Sequence, residues 1–120
     1  MREILFRGKK PQGNWSYGGL IQSANNFYIS IEIDKGFMCA YVKSETVGQY
    51  TGLTDKNGKK IFEGDIVKYK NSSPCQIAYI DSQFVMMWKN FYRNFERVYD
   101  DEIEVIGNIY DNPELLEVQK

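Results

Sequence analysis

Two carboxylates bracket a glycine at Glu63-Gly64-Asp65, the arrangement in the 120-residue chain whose residue types most suggest chemistry. Such a pair can hold a divalent cation or divide the roles of general acid and general base. A cation site, however, needs more oxygen ligands converging from elsewhere in the chain. The alternative is a tight turn in which Gly64 supplies an unusual backbone dihedral and Asp65 accepts local backbone hydrogen bonds. We favour the turn, with no metal site and no catalytic residue.

The chain contains no histidine. This excludes zinc sites built on His, Ser-His-Asp and Cys-His nucleophiles, and any imidazole acid or base. The two cysteines, Cys39 and Cys75, lie far apart in apolar, strand-like runs, which predicts two buried and unpaired thiols rather than a disulfide or a metal site. We therefore expect a protein that is not an enzyme and that has no cofactor.

The pair Asn57-Gly58 lies between two strand-like runs and predicts a β-hairpin with a type I′ turn, because both central residues of that turn need positive φ. Lysines surround its tip and follow on the next strand. They keep an exposed hairpin soluble, or they contact phosphate or an acidic partner. The lysines assigned to a nucleic-acid contact under the second interpretation are Lys56, Lys59, Lys60, Lys68 and Lys70.

Composition is that of one ordinary globular domain, with 42% hydrophobic and 26% charged residues. Fifteen basic and sixteen acidic side chains leave a net charge of -1, which gives no global positive field for a polyanion. No apolar run approaches the roughly 18 residues of a membrane span, and the N-terminal apolar run is too short for a secretory signal. We expect a soluble protein of the cytoplasm with no membrane partner.

Apolar residues alternate along most of the chain, which predicts strands. The clearest is "FYISIEID", with Phe27, Ile29, Ile31 and Ile33 on one face, followed by "FMCAYVK" as its hairpin partner. "EILFR" and "WSYGGLI" precede them. "DIVKYK", "CQIAYI" and "FVMMWK" form a predicted meander, and "EIEVIGNIYD" is the last strand. "NFYRNFERVYDDE" is predicted as a helical turn or an irregular crossover, and "NPELLE" as a short closing helix with Asn112 as its N-cap. Short strands at this spacing indicate a small barrel or sandwich.

Aromatic residues are abundant, with nine Tyr, seven Phe and two Trp. Beside cations on an open sheet, such rings stack nucleic-acid bases. Trp15 with Tyr17, and Trp88 with Tyr92 and Arg93, are candidate platforms of this kind. The alternative, which we favour, is that the rings fill the cores of small β lobes.

The run "SETVGQYTGLTDKNGKKIFEGDIVKY", with "REILFRGK" and "WSYG" before it and "EVIGNIYDNPELLE" at the end, resembles the YopX family of phage and prophage proteins. The resemblance implies a mainly β fold: an N-terminal β lobe, residues 1–53, and a C-terminal SH3-like barrel with a C-terminal helical turn, residues 54–120. It implies a bacterial host cell, and it transfers no catalytic residue because the family has no established activity. Recurring family positions are mostly turn formers and core residues. Gly107 and Asn108 are expected to mark a bulge or a close approach between the two lobes.

Two functions follow as hypotheses. The first is a non-enzymatic module that binds a host or phage protein through the barrel surface or a sheet edge, with self-association as an open possibility. The second is a nucleic-acid-binding accessory protein. Phosphate contacts weaken steeply with salt, whereas an interface with an apolar centre does not, so salt dependence separates the two.

Overall fold

Over the residues that the structure describes, the chain forms two antiparallel β-sheets and one short C-terminal helix. The computed structural model describes residues 4–95 and 102–117. Within these ranges the chain forms 11 strands, arranged in one sheet of six and one of five. It divides into two compact units, Met1–Tyr50 and Thr51–Lys120. No helix in the described ranges is long and apolar enough to cross a membrane.

The first unit is an antiparallel meander whose strands follow the alternation of apolar residues. Phe27 of the third strand pairs with Val42 of the fourth, and the pairing continues to Ile33 opposite Gly36. Ile29 and Val42 are fully buried, so their shared face of the sheet is the inner one. The four strands are β1 Phe6–Lys9, β2 Trp15–Ser23, β3 Asn26–Ile33 and β4 Gly36–Val42, and a 3₁₀ turn, Ser44–Thr46, follows them.

The six-stranded sheet has the order β4-β3-β2-β1-β5-β6. The first residues of strand β5, Gly48–Thr54, pair with the first residues of β1, so that Phe6 lies opposite Gln49. Strand β6, Lys60–Phe62, is the last strand in this order. Strand β4 therefore forms one end of the sheet, with a strand on only one side among the described residues.

The second unit is built around a five-stranded sheet of order β10-β9-β8-β7-β11. Its buried cluster comes from four of these strands together with Ile61 of β6 and Phe95, which follows the three-residue strand Tyr92–Asn94. Each fully buried aliphatic side chain stabilises the fold by about 1.5–3 kcal/mol. The cluster contains Ile61, Val67, Cys75, Ile77, Phe84, Met86, Phe95 and Ile103. The five strands are β7 Asp65–Tyr69, β8 Cys75–Ile80, β9 Gln83–Met87, β10 Tyr92–Asn94 and β11 Ile103–Asn108.

The predicted bulge at Gly107 is confirmed. The register between β11 and β7 shifts between Val105 and Gly107. A Cβ on Gly107 would lie 2.6 Å from Oδ1 of Asn112, so its crowded neighbour belongs to the same unit. The closing helix, α1 Glu114–Glu117, is short, and the Asn112 carboxamide accepts a hydrogen bond from the Asn108 amide.

Two predictions are wrong. Cys75 is buried, but Cys39 is exposed, because β4 lies at a sheet end and alternation does not distinguish an end strand from a central one. The predicted helical turn or crossover after Trp88 instead contains strand β10, whose Tyr92 pairs with Met87. Residues 96–101 of that segment lie outside the described ranges.

Candidate functional site

The hairpin between β5 and β6 is closed by a turn over Asp55–Gly58, in which the Gly58 amide donates to the Asp55 carbonyl at 2.9 Å. Gly58 has φ +83°, but Asn57 is not among the residues with positive φ. The predicted type I′ turn, which needs positive φ at both positions, is therefore wrong. The geometry is that of a type I turn followed by a left-handed glycine, the usual three-residue hairpin loop.

The Asp55 carboxylate explains why the turn has this form. Its Oδ1 accepts hydrogen bonds from the backbone amides of Asn57 and Lys59, each at 2.9 Å. Its Oδ2 accepts one at 2.9 Å from the amide of Val105, a residue of β11. Asp55 thus ties the hairpin to the end of the five-stranded sheet, a link across 50 residues of sequence that no local motif reveals.

The same contacts set the ionisation of Asp55. Burial is the largest single influence and raises its pKa. The three amide donors and the charge of Lys59 lower it by more, so the pKa of the Asp55 carboxyl lies below its ordinary value. Asp55 is a charged structural residue.

The Glu63-Gly64-Asp65 segment is a turn between β6 and β7. Gly64 has φ +94°, and its amide donates to the Ile77 carbonyl at 2.7 Å. Asp65 is only 2% exposed, and its Oδ2 accepts a hydrogen bond from the Phe62 amide at 2.8 Å. The described residues contain no cluster of three His, Cys, Asp or Glu side chains that could hold a metal ion. Gly64 thus provides the left-handed backbone conformation of the turn, and Asp65 accepts a backbone hydrogen bond within it.

Glutamates on β11 and just before it lie beside three of the five candidate lysines. Lys56 Nζ lies 3.6 Å from Glu104 Oε1, and Lys68 is opposite Glu104 in the strand register. Lys70 Nζ lies 3.0 Å from Glu102 Oε2, and that hydrogen bond, with the charge of Glu102, raises the pKa of Lys70. Phosphate binding at this surface would have to compete with these carboxylates.

The two predicted aromatic platforms differ. In the first unit, the Arg7 guanidinium lies 4.7 Å from the centre of the Trp15 ring, and Arg7 is buried. In the second unit, Trp88 stacks on Phe91 with ring centres 4.9 Å apart and planes 13° apart. Sequence reasoning named Trp88, Tyr92 and Arg93 but missed Phe91, although aromatic residues on either side of the two-residue step Lys89-Asn90 are a hairpin signal.

Strand β4 presents a further exposed apolar surface. Phe37, Cys39 and Tyr41 point to one face, and the side chain of Phe37 is 70% exposed. On the opposite face Met38 is 54% exposed. The strand has no charged residue and no proline from Gly36 to Val42. An edge strand of this kind lacks the lysine or proline that normally prevents an edge strand from pairing with another chain.

The same face continues from β4 onto its neighbours. Tyr41 is in register with Tyr28, and their rings meet edge to face at 5.8 Å. Tyr28 is in register with Ile21 on β2, and Ile21 is exposed. Gly19 and Tyr17 follow on the same face of β2 at steps of two residues, and Tyr17 is also exposed. We call this face of β2, β3 and β4 the outer face; it consists of the half-buried Tyr28 and five exposed residues, Tyr17, Ile21, Phe37, Cys39 and Tyr41.

The fold and these surfaces define a small, mainly β protein of two antiparallel sheets. The family model for the YopX protein matches residues 5–117, so the chain belongs to the YopX family. The structure is similar to the crystal structure of protein EF1440 from Enterococcus faecalis, with a TM-score of 0.66 and 27% sequence identity. That match covers 97% of this chain and 99% of the other. No curated protein matches the chain.

Proposed function

We propose that the chain is a non-enzymatic protein-interaction module that binds a host or phage protein. A strand of that partner pairs with β4 and extends the six-stranded sheet. The observation that carries this proposal is the free end of the six-stranded sheet, where a seven-residue strand without charge or proline exposes apolar side chains on both faces. An added strand gains main-chain hydrogen bonds along β4, and its alternate side chains contact the aromatic residues.

The chemistry of β4 restricts the partner. Phe37, Cys39 and Tyr41 offer apolar and aromatic contacts, so a partner strand with small apolar or aromatic residues at alternate positions fits best. A charged residue facing Phe37 or Met38 would lose hydration without gaining an ion pair. A second copy of the chain supplies a strand of suitable composition, so self-association belongs to the same proposal.

The wider setting of the proposal rests on family resemblance. We infer a phage or prophage origin and the cytoplasm of a bacterial host as the place of action. We also infer that the strands of the second unit form an SH3-like barrel, which agrees with five short antiparallel strands around one buried cluster. Fold analogy of this kind supports a binding role but does not identify the ligand.

The test introduces one lysine into the end strand. Cys39→Lys places a charge at an exposed position in the middle of β4. Natural edge strands often carry a lysine, which prevents pairing with another strand. Gln83→Lys is the matched control, because Gln83 is also exposed but lies on β9, which has strands on both sides. Affinity capture from host lysate, with and without phage infection, is compared for wild type and both variants at about 50 and 200 mM salt.

We expect a partner that wild type and Gln83→Lys retain at both salt concentrations and that Cys39→Lys loses. Sedimentation of the purified proteins shows whether that partner is a second copy, since a dimer would then dissociate in Cys39→Lys. Retention of the same proteins by all three chains would contradict the proposal, provided circular dichroism shows an unchanged fold.

A second candidate function is nucleic-acid binding. The five lysines support it weakly, because Lys56 and Lys70 pair with glutamates. The observation that favours it is the aromatic stack of Trp88 and Phe91 beside cations at the opposite end of the five-stranded sheet.

A further inference from the structure

The loop between β9 and β10 is a tight hairpin tip. The Trp88 amide donates to the Phe91 carbonyl at 2.8 Å, which leaves Lys89 and Asn90 as the two loop residues. Beyond this pair the strands continue with Met87 opposite Tyr92. The aromatic rings of Trp88 and Phe91 are thus presented at the tip by paired backbone on both sides.

The orientation of the aromatic stack is fixed. The indole Nε1 of Trp88 donates a hydrogen bond to the Ser73 carbonyl at 3.0 Å, which anchors the ring to the β7–β8 loop. Phe91 lies nearly parallel to the indole and is 58% exposed. The Trp88 ring is therefore fixed by a hydrogen bond, while the Phe91 ring remains open to solvent. Phe91 is a platform on which a further flat ring can stack.

Cations and neutral polar groups surround this platform. A cleft of about 420 Å³ is lined by the two aromatic residues together with Lys89, Arg93 and three polar residues. Its volume falls within the range of small-ligand sites. None of these lining residues is acidic, whereas Lys56 and Lys70 each lie beside a glutamate. The polar residues of the lining are Ser72, Ser73 and Asn90.

We propose that the tip of the β9–β10 hairpin binds single-stranded nucleic acid. An unpaired base stacks on Phe91, the phosphates next to it contact Lys89 and Arg93, and the serine hydroxyls and the Asn90 amide donate hydrogen bonds to the base edge or the sugar. An aromatic platform flanked by cations has the two features that sequence-tolerant binding of single strands requires. A duplex keeps its bases stacked on one another, so it cannot use Phe91.

This inference rests on the second candidate function, which it deepens by naming the site and the single-stranded ligand, and it uses a different unit of the chain from the protein interaction. Strand β4 lies in the first unit and the hairpin tip in the second. Failure of either proposal therefore leaves the other standing, and the variants that test them do not overlap.

The experiment titrates the full chain into fluorescein-labelled ten-nucleotide oligo-dT, oligo-U and a DNA duplex, and measures anisotropy at about 50 and 200 mM salt. We expect both single strands to bind in preference to the duplex. A difference between oligo-dT and oligo-U measures the contribution of the 2′-hydroxyl. Quenching of Trp88 fluorescence in a Trp15→Phe background places the bound base at the stack.

Variants separate stacking from charge. Phe91→Leu keeps an apolar side chain at the tip but removes the π face, and we expect roughly a five- to 150-fold loss of affinity. Lys89→Gln should reduce the slope of log affinity against log salt by about one. Lys35→Gln is the matched control, since Lys35 is an exposed lysine in the turn between β3 and β4 of the first unit, and it should change neither value.

Three outcomes would overturn the proposal. They are no binding of either single strand at low salt, equal binding of the duplex, and unchanged affinity in both Phe91→Leu and Lys89→Gln with thermal unfolding as in wild type.

Discussion

At the scale of single residues, Asp55 in the β5–β6 turn and Asp65 in the β6–β7 turn act as acceptors for backbone amides. Asp65 accepts from Phe62, and Asp55 accepts from two residues of its own turn and from Val105. An ionised carboxylate has no hydrogen to donate and accepts strongly, so it suits a position where several amides converge. Asp65, whose residue type and position suggest chemistry in the sequence, thus contributes to the fold.

Asp55→Asn tests this role. The amide nitrogen of an asparagine would face the Val105 amide if the oxygen kept its two turn contacts, so one donor would lose its acceptor. We expect the free energy of unfolding, measured in urea, to fall by about 1–3 kcal/mol. Glu32→Gln neutralises an exposed carboxylate on β3 and should change it by less than about 0.5 kcal/mol. Equal effects of the two substitutions would contradict the role of Asp55.

The lowered pKa of Asp55 gives the same contacts a dependence on pH. Because the folded pKa lies below the unfolded value of about 3.9, the stability that Asp55 contributes is complete above that value and is lost as the pH falls through the folded pKa. We expect the unfolding free energy of wild type to decrease between about pH 5 and pH 2, and Asp55→Asn to show a shallower decrease. Parallel pH profiles for the two proteins would rule this out.

At the scale of elements, alternation predicts the strands well because each sheet buries one face. It places β3, β4, β7, β8 and β9 correctly. It does not show that β4 ends a sheet, so the exposure of Cys39 is missed, nor that Tyr92–Asn94 continues a hairpin begun by Trp88. The preference of Asn-Gly for a type I′ turn is overridden by the Asp55 carboxylate, which holds the amides of a type I turn.

The turn between β6 and β7 depends on its glycine. Gly64 combines φ +94° with burial, and a β-branched side chain tolerates neither. We expect Gly64→Val to lower the unfolding free energy by at least about 2 kcal/mol and to disrupt the second unit. Gly19→Val is the control, because Gly19 is an exposed strand residue whose added Cβ has only Ser30 Cβ within 4 Å, at 3.8 Å. Thermal unfolding that is unchanged in Gly64→Val would sink the turn interpretation.

At the scale of the whole molecule, the two thiols report on the two units. Cys39 is exposed on β4 of the first unit, whereas Cys75 lies in the buried cluster of the second. Burial raises the pKa of the Cys75 thiol to about 12, so its reactive thiolate is scarce in the folded state near neutral pH. A thiol reagent should therefore modify Cys39 at once, and Cys75 only when the second unit opens.

This difference connects the contacts of one residue to the opening of a unit. In a Cys39→Ser background, labelling of Cys75 follows the population of the open state when closing is fast compared with labelling. Asp55→Asn should then accelerate the labelling about tenfold for each 1.4 kcal/mol that the substitution removes in urea. Glu32→Gln should leave the rate unchanged. If Asp55→Asn lost stability in urea but labelled at the wild-type rate, the Asp55 contacts would not hold the second unit closed around Cys75, and the link between its turn and the core would have to be abandoned.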